Sequence, residues 1–498
     1  MFRRHGLRAV AAACCATALW ASPALAGSEG PGAPGAGDDY FPGYGNGGYD
    51  VSHYDIQVRY QPADDHLQGT TTIVARPTQD LTAFNLDFAL TPKSVLVNGV
   101  PAEFSQQGTE LTVTPPDTLP EGSLATFVID YEGVPSTVEV DGLNPWIRTA
   151  DGALAVGQPE ISAWWFPGND HPRDKATFDI AVTVPEGTEV VANGVNTARS
   201  DLAGWTTWKW RTTKPTATYL AFFAAGQYEV NERVGAFGQP YLSAYSDGLG
   251  ELEGPAKASV ERTPEVLEFL SDLLGEYPVE AQGGVVSSEG MDFALENQTR
   301  PTYSHLFFRD GANTSVVVHE NAHQWFGDSV SVDTWRNIWL NEGFASYAEW
   351  LWSEAHGTGT AQELFDHYYA QYPADDPFWQ VTPGDPGKDD VFHAAVYDRG
   401  AMAVHALRTV VGDEALLDIV RTWVSEKRYS TGTIEEFIDL AEQKSGQQLD
   451  ELFDAWLFTP GRPPVGAATG VSASALRVQA PPKAVAELDR THALLHEH

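Results

Sequence analysis

Val317-Val318-His319-Glu320-Asn321-Ala322-His323-Gln324-Trp325-Phe326, with eighteen residues separating His323 from Glu342 in Trp339-Leu340-Asn341-Glu342-Gly343, is the stretch on which the reading of this chain turns. On an α-helix, residues four apart lie one above the other, so His319 and His323 can present two imidazole nitrogens to one ion. Glu320 sits a fraction of a turn away, where it can reach an attacking water without being a ligand itself. Glu342, opening the next helical pattern, completes a set of two histidines and one carboxylate, the donor set of a catalytic zinc site. A His-Glu-x-x-His string alone can arise on any exposed helix. Here Val316, Val317 and Val318 before it and Trp325 and Phe326 after it predict a buried helix, in which unligated imidazoles would carry a desolvation cost that a metal relieves.

Outward from this stretch, the pattern divides the chain. From Tyr49, apolar residues alternate with polar ones in Ile56-Val58-Tyr60, Thr71-Ile73-Ala75, Val95-Val97, Leu111-Val113, Phe127-Ile129-Tyr131 and Phe178-Ile180-Val182, with Gly, Pro, Asn and Asp between them. Asn98-Gly99 and Asn193-Gly194 are hairpin signals. An all-β domain over residues 46–232 is expected, and it could by itself serve as a binding sandwich. The period then turns helical. Thr263 suits an N-cap ahead of the Val266, Leu267, Leu270, Leu273 and Leu274 stripe, and Thr433 with Glu436 reads as a capping box. Residues 233–464 are read as a mainly helical domain carrying the metal motif, and the Ala-rich stretch 465–498 as a flexible C-terminal tail.

At the other end, Met1 to Arg4, an apolar run from Ala9 to Trp20, and Ala24-Leu25-Ala26 have the three parts of a secretory signal peptide, with cleavage expected after Ala26. The apolar run is too short for a membrane span. An exported, soluble protein is expected. Cys14 and Cys15 are the only cysteines of the chain and lie inside this segment, which excludes disulfides, thiol catalysis and cysteine-ligated metal from the mature form. Residues 27–45, rich in Gly, Pro and Asp, read as a poorly ordered linker. The formal net charge of −38 excludes nucleic acid and anionic membranes as partners. With 498 residues, 42% of them hydrophobic, the chain can bury more than one core.

The text "VVHENAHQWFGDSV" (317–330) and "WRNIWLNEGFASYAEWL" (335–351), with "YDVSHYDIQVRY" (49–60) and "LDELFDAWLFTPGRPP" (449–464), resembles the zinc aminopeptidases typified by aminopeptidase N, within the gluzincins. The resemblance covers residues 45 to 465. It implies an α+β multidomain fold, in which an N-terminal saddle-like all-β domain precedes a mainly helical thermolysin-like catalytic domain. It also implies one zinc per chain, monomeric state, and peptide substrates with a free N-terminus.

Residue by residue, it places Glu296 of Ala294-Leu295-Glu296-Asn297 in the family's exopeptidase motif, where a carboxylate pairs with the substrate α-ammonium, with Ala294 and Asn297 in the same substrate-binding stretch. Phe293 and Leu295 depart from that motif. Gln158, ahead of Phe166-Pro167-Gly168-Asn169-Asp170-His171-Pro172, falls where the family often has Glu, and is expected to help hold the amino group as a neutral partner. Tyr397, in Tyr397-Asp398-Arg399-Gly400-Ala401, is expected to donate a hydrogen bond to the developing oxyanion. His393 and His405 match no ligand position and read as structural. The leading expectation is a secreted zinc aminopeptidase with Glu320 as general base. A zinc endopeptidase and a non-catalytic binding protein with a structural zinc are the alternatives.

Overall fold

The computed structural model describes residues 29–140, 142–477 and 480–495. The expected signal peptide, and with it both cysteines, lies outside the described residues. The alternation read from the sequence becomes one eight-stranded sheet, in the order 195–202, 205–211, 177–185, 49–61, 66–77, 125–133, 91–97 and 100–101. All of its pairings are antiparallel except that of Thr177–Pro185 with Tyr49–Gln61, which runs parallel with Ile180 opposite Ile56. Ile56, Val58, Tyr60, Ile73, Phe127, Ile129, Phe178, Ile180 and Val182 all point into one core and are at most 2% exposed, as period-two burial requires. Two four-stranded sheets cover that core.

The second half opens with a five-stranded sheet in the order 228–234, 240–246, 282–287, 302–304 and 294–295. Its strands alternate between two cores. Ala244, Val285 and Leu295 face the core of the β domain, while Tyr245, Val286, Tyr303 and Ala294 face the helical core. This sheet is therefore the wall between the halves, and its short antiparallel edge strand, Ala294–Leu295, delivers the next residue, Glu296, to the junction. The helices Glu253–Val260, Thr263–Leu274 and Thr314–Ala322 pack on its far side. Among the described residues, no helix is long and apolar enough to cross a membrane.

Five details differ from the sequence expectations. Strand Tyr228–Val234 pairs with Pro240–Ser246, so strand pairing divides the halves before Tyr228 rather than at 232. Asn98-Gly99 turns with both residues at positive φ, as a tight hairpin needs, but Asn193-Gly194 makes no hairpin, because the strands on either side of it belong to different sheets. The Asn193 side chain instead donates to the carbonyls of Leu220 and Gln298, fastening the β domain to the loop after Glu296. Thr263 is the first helical residue rather than the cap, and its hydroxyl donates back to Val260 O at the end of the preceding helix. The Thr433/Glu436 capping box forms as read.

The described part of the stretch 27–45, read as a linker, is a packed strap. Asp38 is buried and accepts from the backbone N–H groups of Tyr40, Phe41 and Trp335, and Phe41 lies edge-on against the Trp335 ring. Residues 465–498, expected as a flexible tail, carry the helix Val485–Leu495, whose Val485, Leu488 and Leu495 are buried in the helical core. In both segments a few polar anchors and buried apolar residues do what their composition does not announce.

Candidate active site

The helix Thr314–Ala322 is capped by Asn313, whose side chain accepts from Val316 N, and all of its residues are buried. His319 lies within it and His323 closes it. Glu342 stands in the first turn of the helix Trp339–His356, and Glu349, seven residues on, shares its face. The two helices bring the predicted set together. Nε2 of His319 and Nε2 of His323 each lie 3.3 Å from Glu342 Oε2, and the three ligand atoms fall within 4.8 Å of one another.

The outer nitrogens show what that space is suited to hold. His323 Nδ1 is 3.0 Å from the carbonyl of Phe326, which can only accept, so Nδ1 carries a proton and Nε2 is the nitrogen turned toward Glu342. His319 Nδ1 donates in the same way to Glu349 Oε1 at 2.8 Å. Two Nε2 atoms and an anionic oxygen thus converge; burial would lower the proton affinity of both rings, but Glu342 and the neighbouring carboxylates more than offset it, and a metal cation would take the place of those protons. With outer N–H groups anchored to a carboxylate and a carbonyl, the donor set fits zinc. The electrostatics agree: burial alone would raise the Glu342 carboxyl, yet His323 and His319 hold it low. Glu320 is buried beside the set, and its carboxyl is pushed up to about 8 by burial, with Glu296 and Glu342 adding to the rise and the two histidines opposing it.

Glu296 is buried, which raises its carboxyl, and it accepts at Oε1 from Gln158 Nε2 at 3.0 Å and from the Tyr219 hydroxyl at 2.9 Å. The chain thus joins the two predicted amine-binding residues, 138 positions apart. Gln158 and Ala294 line a cleft of about 540 Å³ whose apolar wall includes Phe41, Ile147, Val156, Phe293 and Phe392. Asn297 points away from it: its side chain donates to Leu220 O and accepts from Thr302 Oγ1, and it is fully buried. Tyr397 lies on a π-helical turn, Ala395–Arg399, with its ring stacked on His319 at a centroid distance of 5.9 Å. His405 is structural as read, held by Tyr347 and Gln362, and His393 Nδ1 accepts from Ala395 N. A larger concavity of about 760 Å³ on the eight-stranded sheet contains none of these residues.

Four residues of the site escape a reading by motif. Tyr219 steadies Glu296. Gln324 donates to Glu296 O at 3.1 Å and accepts from Thr299 N at 2.8 Å, tying the edge-strand loop to the metal helix. Glu349 and His492 stand behind His319, with His492 Nε2 2.9 Å from Glu349 Oε1. Only Glu349 had a usable signal, its seven-residue spacing from Glu342.

Residues 51–220 match the model of the Peptidase M1 N-terminal domain and residues 259–456 that of the Peptidase family M1 domain. The chain is 26% identical to aminopeptidase N of Lactococcus lactis subsp. lactis over 405 residues, covering 70% of this chain and 44% of that protein. It is 26% identical to the glutamyl aminopeptidase of Rattus norvegicus over 456 residues, covering 83% and 47%. The chain thus spans about half the length of the curated relatives it matches. Among solved structures, an M1 zinc metallopeptidase from Deinococcus radiodurans superposes with a TM-score of 0.77 at 30% identity, covering 87% of this chain and 99% of that one. A mutant form of it, at 29% identity, is described as bound to a Tyr-Ser-Ala substrate.

Proposed function

The chain belongs to peptidase family M1, and from that premise we propose that it is an exported, monomeric zinc aminopeptidase that removes N-terminal residues from peptides. The observation that carries this reading is the pairing of Gln158 with Glu296 beside the His319, His323 and Glu342 set, an amine anchor next to a metal donor set. The relatives named aminopeptidases, and the neighbour described with a tripeptide substrate, support it.

Zinc held by His319, His323 and Glu342 would supply Lewis-acid polarisation of the scissile carbonyl and acidify the attacking water. Glu320 takes a proton from that water and returns it to the leaving amine. Tyr397, pinned against His319, directs its hydroxyl to the oxyanion as it develops. Glu296 binds the α-ammonium through a charge-assisted hydrogen bond, with Gln158 and Tyr219 fixing its orientation. Anchoring the amine beside the reacting carbonyl limits cleavage to one residue from the chain end. Ala294 and the apolar wall of the cleft receive the side chain of that residue.

The test is zinc content together with turnover of aminoacyl arylamides. Glu320→Gln is expected to keep its zinc and lose turnover. Full activity in that variant, or after chelation, would sink the proposal, and cleavage of N-acetylated peptides as fast as free ones would make the protein an endopeptidase. Mass analysis of protein recovered from the medium checks export with cleavage after Ala26.

A further inference from the structure

The helix Val485–Leu495 lies beyond residue 456, where the matched family domain ends. It meets the metal helix at two levels. At the first, Glu487 Oε1 accepts from Thr314 N and Ser315 N, at 2.9 Å each, placing a carboxylate on the unpaired N–H groups and positive dipole end of that helix. Thr491, one turn on, is bonded to the side chain of the capping residue Asn313. At the second level, His492 lies buried between two carboxylates. Its Nε2 is 2.9 Å from Glu349 Oε1 and its Nδ1 2.6 Å from Asp398 Oδ1. Ionised carboxylates only accept, so both nitrogens carry protons and the ring is a cation between two anions. The Glu349 oxygen that it binds is the same atom that accepts from His319 Nδ1, and Asp398 adjoins Tyr397 in the chain.

Resting on the zinc reading above, we propose that His492 is a positioning residue of the metal centre, holding Glu349 against the ligand His319 and Asp398 beside Tyr397, so that zinc retention depends on this side chain of the C-terminal helix and not merely on the packing of the helix. Without the cation between them, the two buried carboxylates lose their shared partner, and Glu349 is left with only the Ser315 hydroxyl and His319 to hold it in line. The stretch expected as a tail then acts as a clasp on the site.

The experiment compares the full-length wild type, His492→Ala and Leu488→Ala by zinc affinity in chelator competition, thermal melting, and kcat and KM on an aminoacyl arylamide. His492→Ala should weaken zinc binding about ten- to a hundredfold, the range for losing a group behind a ligand, and lower kcat more than KM. Added imidazole, filling the space left by the side chain, should restore part of the zinc affinity. Leu488→Ala, buried on the same helix, should lower the melting temperature while leaving zinc affinity within about twofold, since it removes only packing. If His492→Ala does not fold, His492→Gln, which keeps a single amide group in place of the bridging ring, is expected to show the same loss of zinc affinity. Wild-type zinc affinity in the His492 variant, or an equal loss in Leu488→Ala, overturns the proposal. A wild type that takes up no zinc overturns the metal reading on which it rests, and with it this one.

Discussion

The amine-binding role proposed for Glu296 separates cutting one residue from the end and cutting anywhere. If its carboxylate binds the substrate ammonium, removing it costs roughly 1.5 to 3 kcal/mol, or about ten- to a hundredfold in kcat/KM. Glu296→Ala should therefore cripple cleavage of free peptides while zinc content stays intact, because Glu296 is not among the converging ligand atoms. Gln158→Ala should do milder damage: Gln158 is neutral, and Tyr219 still holds the same Glu296 oxygen. Steady-state kinetics on free and N-blocked peptides check both, and wild-type rates in Glu296→Ala would show the amine anchored elsewhere. At this scale the motif residues were legible in the sequence, since helix periodicity places His319 over His323 regardless of the rest of the chain. Tyr219 and Gln324 were not, because nothing local distinguishes a hydroxyl or an amide that meets a partner 77 or 28 residues away.

At the level of elements, the site depends on how closely two helices approach. Trp339 donates its indole N–H to Gly400 O at 3.1 Å, and a Cβ on Gly343 would stand 2.4 Å from Trp339 Nε1 and 3.2 Å from the Gly400 backbone. The glycine is needed for space, not for its backbone angles. Gly343→Ala should destabilise the fold by about 1 to 3 kcal/mol, the usual range for overpacking, and unsettle Glu342 next to it. Denaturant melts of the metal-free protein check the first effect and zinc titration the second. The π-helical turn that carries Tyr397 is held from outside as well. Arg399, fully buried, donates to the carbonyls of Trp379, Val381, Ala455, Trp456 and Thr459. A lysine there has three donors on a single nitrogen and cannot span five acceptors, so Arg399→Lys should lower both the melting temperature and kcat.

For the molecule as a whole, the strap around Asp38 joins the halves. Asp38 touches His171 of the β domain and Trp335 of the helical domain through one carboxylate. Burial would raise its carboxyl, but the His171 ring and the N–H donors of Trp335, Phe41 and Tyr40 outweigh burial and hold it at about 2 against an ordinary 3.8. A carboxyl lowered on folding stabilises the ionised protein, so the contribution is full above about pH 4 and is lost as pH falls through 2. Asp38→Asn should therefore melt below wild type at pH 6, and the gap should narrow steadily on acidification toward pH 3. A gap independent of pH would mean that Asp38 acts by shape alone.

What the sequence by itself determined is what short-range geometry encodes: the alternating strands of the β domain, the His319 and His323 pair with Glu320 beside it, and the Thr433 cap. Each follows from a repeat of two, or of three to four, residues that any folded context must respect. What only the tertiary structure decided are contacts whose partners lie far apart in the chain. Asn193-Gly194 carries a hairpin signal yet fastens one domain to the other, the Gly- and Pro-rich strap is ordered by Asp38, and the Ala-rich tail brings His492 to Glu349 across 143 positions. Local composition reports how readily a segment folds alone, whereas these segments are ordered by buried charge and hydrogen-bond partners that exist only once the two cores have packed.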